Sequence, residues 1–233
     1  MTASRRLALF DLDHTLLPLD SDYQWADYLA RTGRAGDPAL ARQRNDELMA
    51  RYNRGELTAQ ESCEFLLGLL APHTPFDLAA WHEDFMAAVI RPAIAAPALE
   101  LVDSHLRAGD LCAVVTATNS FVTAPIARAF GIPHLIATEP EFVAGRYTGR
   151  IQGTPSFKEG KVVRVDQWLA GLGLTLADFS TTFFYSDSVN DVPLLEAVNH
   201  PVAVNPSPAL RDLARARGWP VLELFAHMED AKS

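Results

Sequence analysis

The chain has 233 residues, 48% of them hydrophobic, and carries 20 Lys and Arg against 29 Asp and Glu for a formal net charge of −9. That is enough apolar material for one large or two small cored domains. No Lys/Arg-rich run supports a nucleic-acid surface, and no window approaches the roughly 18 apolar residues that a membrane span requires.

In chain order, the first predicted element is a strand over Leu7–Phe10, closed by Asp11 and Asp13. His14 to Asp110 contains no convincing strand and reads as helical. Ser21-x-x-Gln24 and Thr58-x-x-Glu61 have the form of capping boxes, and Asp37-Pro38 that of an N-cap followed by proline at the first helical position. Leu78, Trp81, Phe85 and Val89 recur at helical spacing. A core helix over 95–109 leads into a strand at Leu111–Val115 and a helix at Thr123–Phe130. A strand at His134–Ala137 and a small hairpin over 141–152 follow. Next comes a helix over Lys158–Leu172, which Ser156-x-x-Glu159 is placed to cap. A strand at Thr182–Tyr185, a helix at Asp191–Val198 and strands at Val202–Val204 and Val221–Leu224 complete the chain. This alternation predicts the α/β class: a parallel sheet with helical crossovers, built from 1–17 and 93–233. Residues 18–92 form an inserted helical domain, with the turn-rich stretch 91–97 as its return linker. An insertion after the first strand lies over the strand ends, where a lid would lie.

Cys63 and Cys112 are far apart and in no CxxC, which reads as two free thiols and a cytoplasmic setting. Arg5-Arg6 does not read as a twin-arginine signal, because the apolar run after it is broken at Asp11. The histidines show no metal-ligand spacing.

The chemistry collects where the apolar runs end. Asp11 and Asp13 project to the same side of an extended strand. Two such charges about 4 Å apart repel by on the order of 4 kcal/mol at an effective dielectric of about 20. The second strand ends in Thr116, and the fourth in a segment carrying Asp187 and Asp191; Lys158 and Lys161 open a helix. In a parallel sheet these groups meet at one edge. An oxygen-rich acidic cluster without His or Cys selects Mg²⁺ over zinc, and Mg²⁺ beside a lysine makes a phosphate site. No Walker A, GxGxxG, HExxH or GxSxG pattern supplies an alternative.

Asp11-Leu12-Asp13-His14-Thr15-Leu16 resembles the first motif of the haloacid dehalogenase-like (HAD) superfamily. Thr116, Lys161 and Ser186–Asp191 resemble its second, third and fourth motifs, in the family's order. The insert resembles the helical cap (C1 type) of the phosphoserine-phosphatase-like branch. The resemblance implies a Rossmann-like core with helices on both faces and aspartyl-phosphate chemistry. Asp11 is then the nucleophile and Asp13 the acid and base. Asp11, the Asp13 backbone carbonyl and Asp187 hold Mg²⁺, with Asp191 in support. Thr116 and Lys161 bind phosphate; the branch pattern favours Lys161 over Lys158. For substrate specificity the candidates are Asp20 and Asp22, just past the first motif, and Arg51 or Arg54 on a cap helix; the resemblance points to Asp20 and Arg51 for a substrate's amine and carboxylate. Where that branch carries Ser-Gly-Gly at its second motif, this chain has Thr116-Ala117-Thr118, so side chains intrude on the substrate. Histidinol phosphate therefore stands as a rival to phosphoserine.

The expected protein is a Mg²⁺-dependent phosphatase of a small phosphorylated metabolite, monomeric or homodimeric. The alternative is a phosphotransferase that passes the phosphoryl group from the aspartyl phosphate to an acceptor alcohol. A signalling receiver also uses Asp, Thr, Lys and Mg²⁺, but it keeps its phosphoacceptor on an internal strand and lacks a large insert.

Overall fold

The computed structural model describes residues 5–54, 56 and 58–226. Its central strand, β1 (Arg6–Phe10), alternates between two apolar layers. Leu7 and Leu9 join Ala113, Val115, Ile136, Val165, Leu169 and Phe184 on one face. Ala8 and Phe10 join Val114, Tyr185 and Val204 on the other.

The remaining strands are β2 (Leu111–Asn119), β3 (His134–Val143), β4 (Arg146–Gln152), β5 (Thr181–Ser186), β6 (His200–Val204) and β7 (Val221–Leu222). They form a seven-stranded sheet in the order β4-β3-β2-β1-β5-β6-β7. Every pairing is parallel except that of β3 with β4. β1 lies between β2 and β5, so the chain leaves it in one direction and later returns on its other side. Such a switch point opens a crevice beyond the strand's C-terminal end, directly after Phe10.

Between β1 and β2 the chain forms α1 (Ser21–Arg31), α2 (Pro38–Asn53), α3 (Ala59–Gly68), α4 (Pro75–Phe85), the short α5 (Arg91–Ala93) and α6 (Ala96–Arg107). A π-helical turn, Met86–Ile90, joins α4 to α5. It shifts the buried stripe, so Met86 and Ile90 are buried while Val89 is only partly covered. Trp25, Leu29, Leu67, Leu70, Leu78 and Phe85 from these helices share one apolar cluster with Phe10, Val114 and Tyr185 of the sheet. α3 crosses β4 closely enough that a Cβ on Gly149 would lie 3.3 Å from the Gly68 Cα. The crossover helices after β2 are α7 (Ser120–Ala129), α8 (Glu159–Gly171), α9 (Val192–Ala197) and α10 (Pro208–Arg217).

The Thr58–Glu61 capping box and the Asp37 cap form as expected, the latter with the Leu40 N–H donating to Asp37 at 2.9 Å. Two other expected caps do not form. α1 is capped by Asp20, whose carboxylate accepts from the Tyr23 N–H at 2.8 Å, so Ser21 is the first helical residue and not the cap. α8 has no side-chain cap. It starts after Lys158, which holds φ +50°. The Ser156 hydroxyl turns away to the Ile136 carbonyl, 3.4 Å away. The expected hairpin at 141–152 is present, but β3 and β4 also extend the sheet. β2 runs four residues past Val115, with a register irregularity against β3 in that stretch. Among the described residues, no single helix is long and apolar enough to cross a membrane.

Candidate active site beyond the central strand

The loop after β1 folds back on itself. Leu16 and Leu17 donate their N–H groups to the Leu12 carbonyl at 2.9 and 3.0 Å, and all three side chains are buried. This tight turn leaves Asp11 and Asp13 facing a cavity of about 840 Å³. Thr116, Lys161, Asp187 and Asp191 also line it, as do Asp20 and Asp22.

Lys161 is 2% exposed and donates to Asp11 Oδ1 at 2.8 Å and to Asp191 Oδ2 at 2.7 Å. Burial alone would lower its pKa, but the two carboxylates more than offset that and hold it above the ordinary lysine value. Lys158, the other lysine of the segment, is exposed over the Phe157 ring. The close approach of α8 explains why Lys161 is the one turned inward. A Cβ at Gly160 would fall 2.2 Å from the Pro155 carbonyl oxygen, so only glycine allows this helix start.

Three hydroxyls that sequence reading did not assign complete the floor. Thr15 Oγ1 lies 3.4 Å from Asp11 Oδ2 and 3.2 Å from Asp187 Oδ1, so the two carboxylates share one hydroxyl. Ser186 donates to Asp191 Oδ2 at 2.7 Å. Thr118 donates to Asp13 Oδ2 at 2.7 Å, while the other Asp13 oxygen accepts the Ser21 N–H at 2.9 Å. Both Asp13 oxygens are thus held. The only sequence signal was adjacency: each hydroxyl lies within five residues of a motif carboxylate or of Thr116.

Three carboxylates around one ammonium leave an excess of negative charge. Burial and the charges of Asp11 and Asp191 push Asp187 up to about 8. Burial raises Asp191 to about 6 against the pull of Lys161. Asp13 also rises to about 6, through burial and the charge of Asp20, against the hydrogen bonds from Ser21 and Thr118. A divalent cation would relieve that excess, and the donors present suit one. They are all hard oxygens, which Mg²⁺ prefers. Among the described residues no three His, Cys, Asp or Glu side chains group closely enough to hold a metal ion on their own. Asp11, Asp187 and the Asp13 carbonyl are the groups that would hold it.

The specificity candidates divide. Asp20 lines the cavity but spends one oxygen on capping α1. Asp22 is 8% exposed and accepts from Asn119 Nδ2 at 2.8 Å. Arg51 is exposed on α2 and does not line the cavity, so the expected cap arginine is not part of this site. His14, exposed at φ +58°, lines the rim.

A family model of haloacid dehalogenase-like hydrolases matches residues 8–196. The chain is 45% identical over 219 residues to a histidinol-phosphatase of Neisseria meningitidis serogroup C (strain 8013), covering 94% of this chain and 98% of that one. It is 33% identical over 220 residues to a phosphoserine phosphatase of Mycobacterium tuberculosis (strain ATCC 25618 / H37Rv), covering 92% of this chain and 69% of the other. A crystal structure of a protein with unknown function from Bordetella pertussis Tohama I matches at 74% identity and a TM-score of 0.94. It covers 96% of this chain and 100% of that chain.

Proposed function

The chain belongs to the haloacid dehalogenase-like hydrolases, and from that premise we propose that it is a phosphatase that cleaves a small phosphomonoester, of the phosphoserine or histidinol phosphate kind, through a phosphorylated Asp11. The observation that most supports this is the pairing of Asp11 with the buried ammonium of Lys161 at 2.8 Å, on the floor of a cavity that Asp187, Asp191 and Thr116 also line.

In the first displacement an Asp11 oxygen bonds to phosphorus and the bond from phosphorus to the ester oxygen breaks. Asp13 gives its proton to the departing alkoxide. In the second, water attacks the same phosphorus while Asp13 takes the water's proton. The bond from phosphorus to Asp11 then breaks, restoring the carboxylate and releasing phosphate. A carboxyl held near pH 6 has both forms accessible close to neutrality, which this double duty needs. Its two fixed oxygens keep it aimed at the leaving group. Lys161 and Thr116 bind phosphate oxygens as charge develops on them. Asp11, Asp187 and the Asp13 carbonyl, with Asp191 in support, would hold Mg²⁺, which would supply positive charge to offset that of the phosphate.

The test uses Asp11→Asn and metal removal. The variant is expected to fold and to lose phosphatase activity by at least about 10³-fold, the scale of losing a covalent nucleophile. EDTA is expected to silence the wild type and Mg²⁺ to restore it. Near-normal turnover by Asp11→Asn overturns the nucleophile, and EDTA-resistant turnover overturns the metal.

A further inference from the structure

Six carboxylates line the cavity: Asp11, Asp13, Asp20, Asp22, Asp187 and Asp191. Among the described residues no arginine lines it, and its one lysine, Lys161, is already engaged by Asp11 and Asp191. The described walls thus offer a substrate carboxylate no uncommitted Lys or Arg, and His14 stands only at the exposed rim.

Asp22 lies beside Asp13 but is held by different groups. It is nine-tenths buried at the start of α1, and its hydrogen-bonding partners, the Asn119 amide and the Thr118 hydroxyl, are neutral. Among the described residues no Lys, Arg or His pairs with it. Burial, with the neighbouring carboxyls of Asp20 and Asp13, holds its own carboxyl well above the usual carboxylate range. Burying a carboxylate without a countercharge is costly, and a cation brought by a ligand would reverse that cost. The rest of the lining is different in kind: Leu48, Met49 and Leu66 offer apolar surface to a substrate body. A cavity of about 840 Å³ holds far more than a phosphate group.

We propose that Asp22 determines specificity, and that the substrate it selects is the phosphomonoester of an alcohol bearing an ammonium group and no carboxylate. The inference rests on the phosphatase reading and narrows it. Asn119 holds Asp22 in place: its Oδ1 accepts from the Val122 N–H at 3.1 Å while its Nδ2 donates to Asp22, so the amide is fixed at both ends.

The experiment compares kcat/KM for histidinol phosphate, phosphoserine and n-propyl phosphate in the wild type and in Asp22→Asn, which preserves shape and an acceptor for Asn119. The wild type is expected to prefer histidinol phosphate over both others. In the variant the ratio of histidinol phosphate to n-propyl phosphate is expected to fall by about 30-fold, chiefly through KM, the scale of one charge-assisted hydrogen bond. A ratio unmoved by the substitution overturns the proposal, as does a wild-type preference for phosphoserine. A wild type that hydrolyses none of the three overturns the phosphatase reading itself. If Asp22→Asn does not fold, inhibition of the wild type decides. Histidinol is expected to compete with substrate at concentrations where n-propanol does not, and equal inhibition by the two overturns the proposal.

Discussion

Lys161 is surrounded on the floor of the cavity by more negative charge than it can match. Its ammonium holds Asp11 and Asp191 at hydrogen-bond distance, with only 2% of the residue exposed. Removing one partner of a buried ion pair leaves the other charge uncompensated, which costs more than the pair contributes when intact. Lys161→Met is therefore expected to lower unfolding free energy by about 3 kcal/mol, read from the urea midpoint in EDTA, and to lose at least about 10²-fold in kcat/KM. Unchanged stability would show that Asp11 and Asp191 find other partners without it. At this scale the meeting of Asp11, Asp13, Asp187 and Asp191 was legible in the sequence, because an aspartate at the end of an apolar run needs an offsetting partner, whereas Lys161 was singled out from Lys158 only by the resemblance of its Gly-Lys pair to the branch pattern. The hydroxyls of Thr15, Thr118 and Ser186 were not, because Ser and Thr at strand ends serve turns and caps equally well. Arg51 was misjudged for a related reason: a long cation on a helix is as well placed in solvent as in a cavity, and only the fold decides.

Elements place these residues through backbone approach as much as through side-chain pattern. α8 starts against the Pro155 carbonyl with no room for a Cβ at Gly160, and one residue later comes Lys161. In Gly160→Ala the added methyl must push Pro155 or the helix start aside. The expected loss is about 1–3 kcal/mol in stability, the usual scale of overpacking, together with a fall in kcat of more than tenfold as Lys161 is displaced. Full activity with lowered stability would mean that the strain is absorbed on the Pro155 side alone. Periodicity predicted α8 well, since Val165 and Leu169 fall on its buried side. It also gave the start to within one residue, but not the cap. Ser156-x-x-Glu159 fits a capping box on paper, yet the Ser156 N–H is drawn to Thr138 Oγ1 at 3.1 Å and its hydroxyl to Ile136. The same held at α1, where Ser21 has the residue type of a cap, but its N–H is committed to Asp13 and Asp20 caps instead. The inner strands were easier to read, because β1, β2, β5 and β6 place alternate residues in two separate apolar layers.

Across the whole molecule, the helices between β1 and β2 share a continuous apolar cluster with one face of the sheet. His82 of α4 lies within that seam, 3% exposed, with Trp25 stacked at 5.5 Å and Phe121 of α7 edge-on at 5.3 Å. Its Nε2 meets the Val122 carbonyl at 2.9 Å, which assigns the proton to that nitrogen, and its Nδ1 is buried without a partner. A second proton would therefore place a charge among aromatic rings. Burial holds the pKa of His82 below the ordinary 6.5, although the Val122 carbonyl pulls the other way. In the unfolded chain the ring takes up a proton near pH 6.5. The unfolded state thus binds more protons than the native state below that point, and the stability contributed by neutral His82 is complete above it and lost as pH falls. The buried carboxyls of Asp13 and Asp191, raised to about 6, and Asp187, raised to about 8, act with the opposite sign and gain protons in the native state as pH falls. The wild-type profile alone therefore mixes both effects, and the difference from His82→Gln isolates one. Glutamine can still donate to the Val122 carbonyl but does not titrate. Urea unfolding at pH 7.5 and 5.0, both in EDTA, is expected to show the wild type losing stability relative to His82→Gln by up to about 1.4 kcal/mol per pH unit below 6.5. Parallel profiles for the two proteins would mean that the seam accommodates the imidazolium, and that the cap helices do not bind the sheet through a neutral ring.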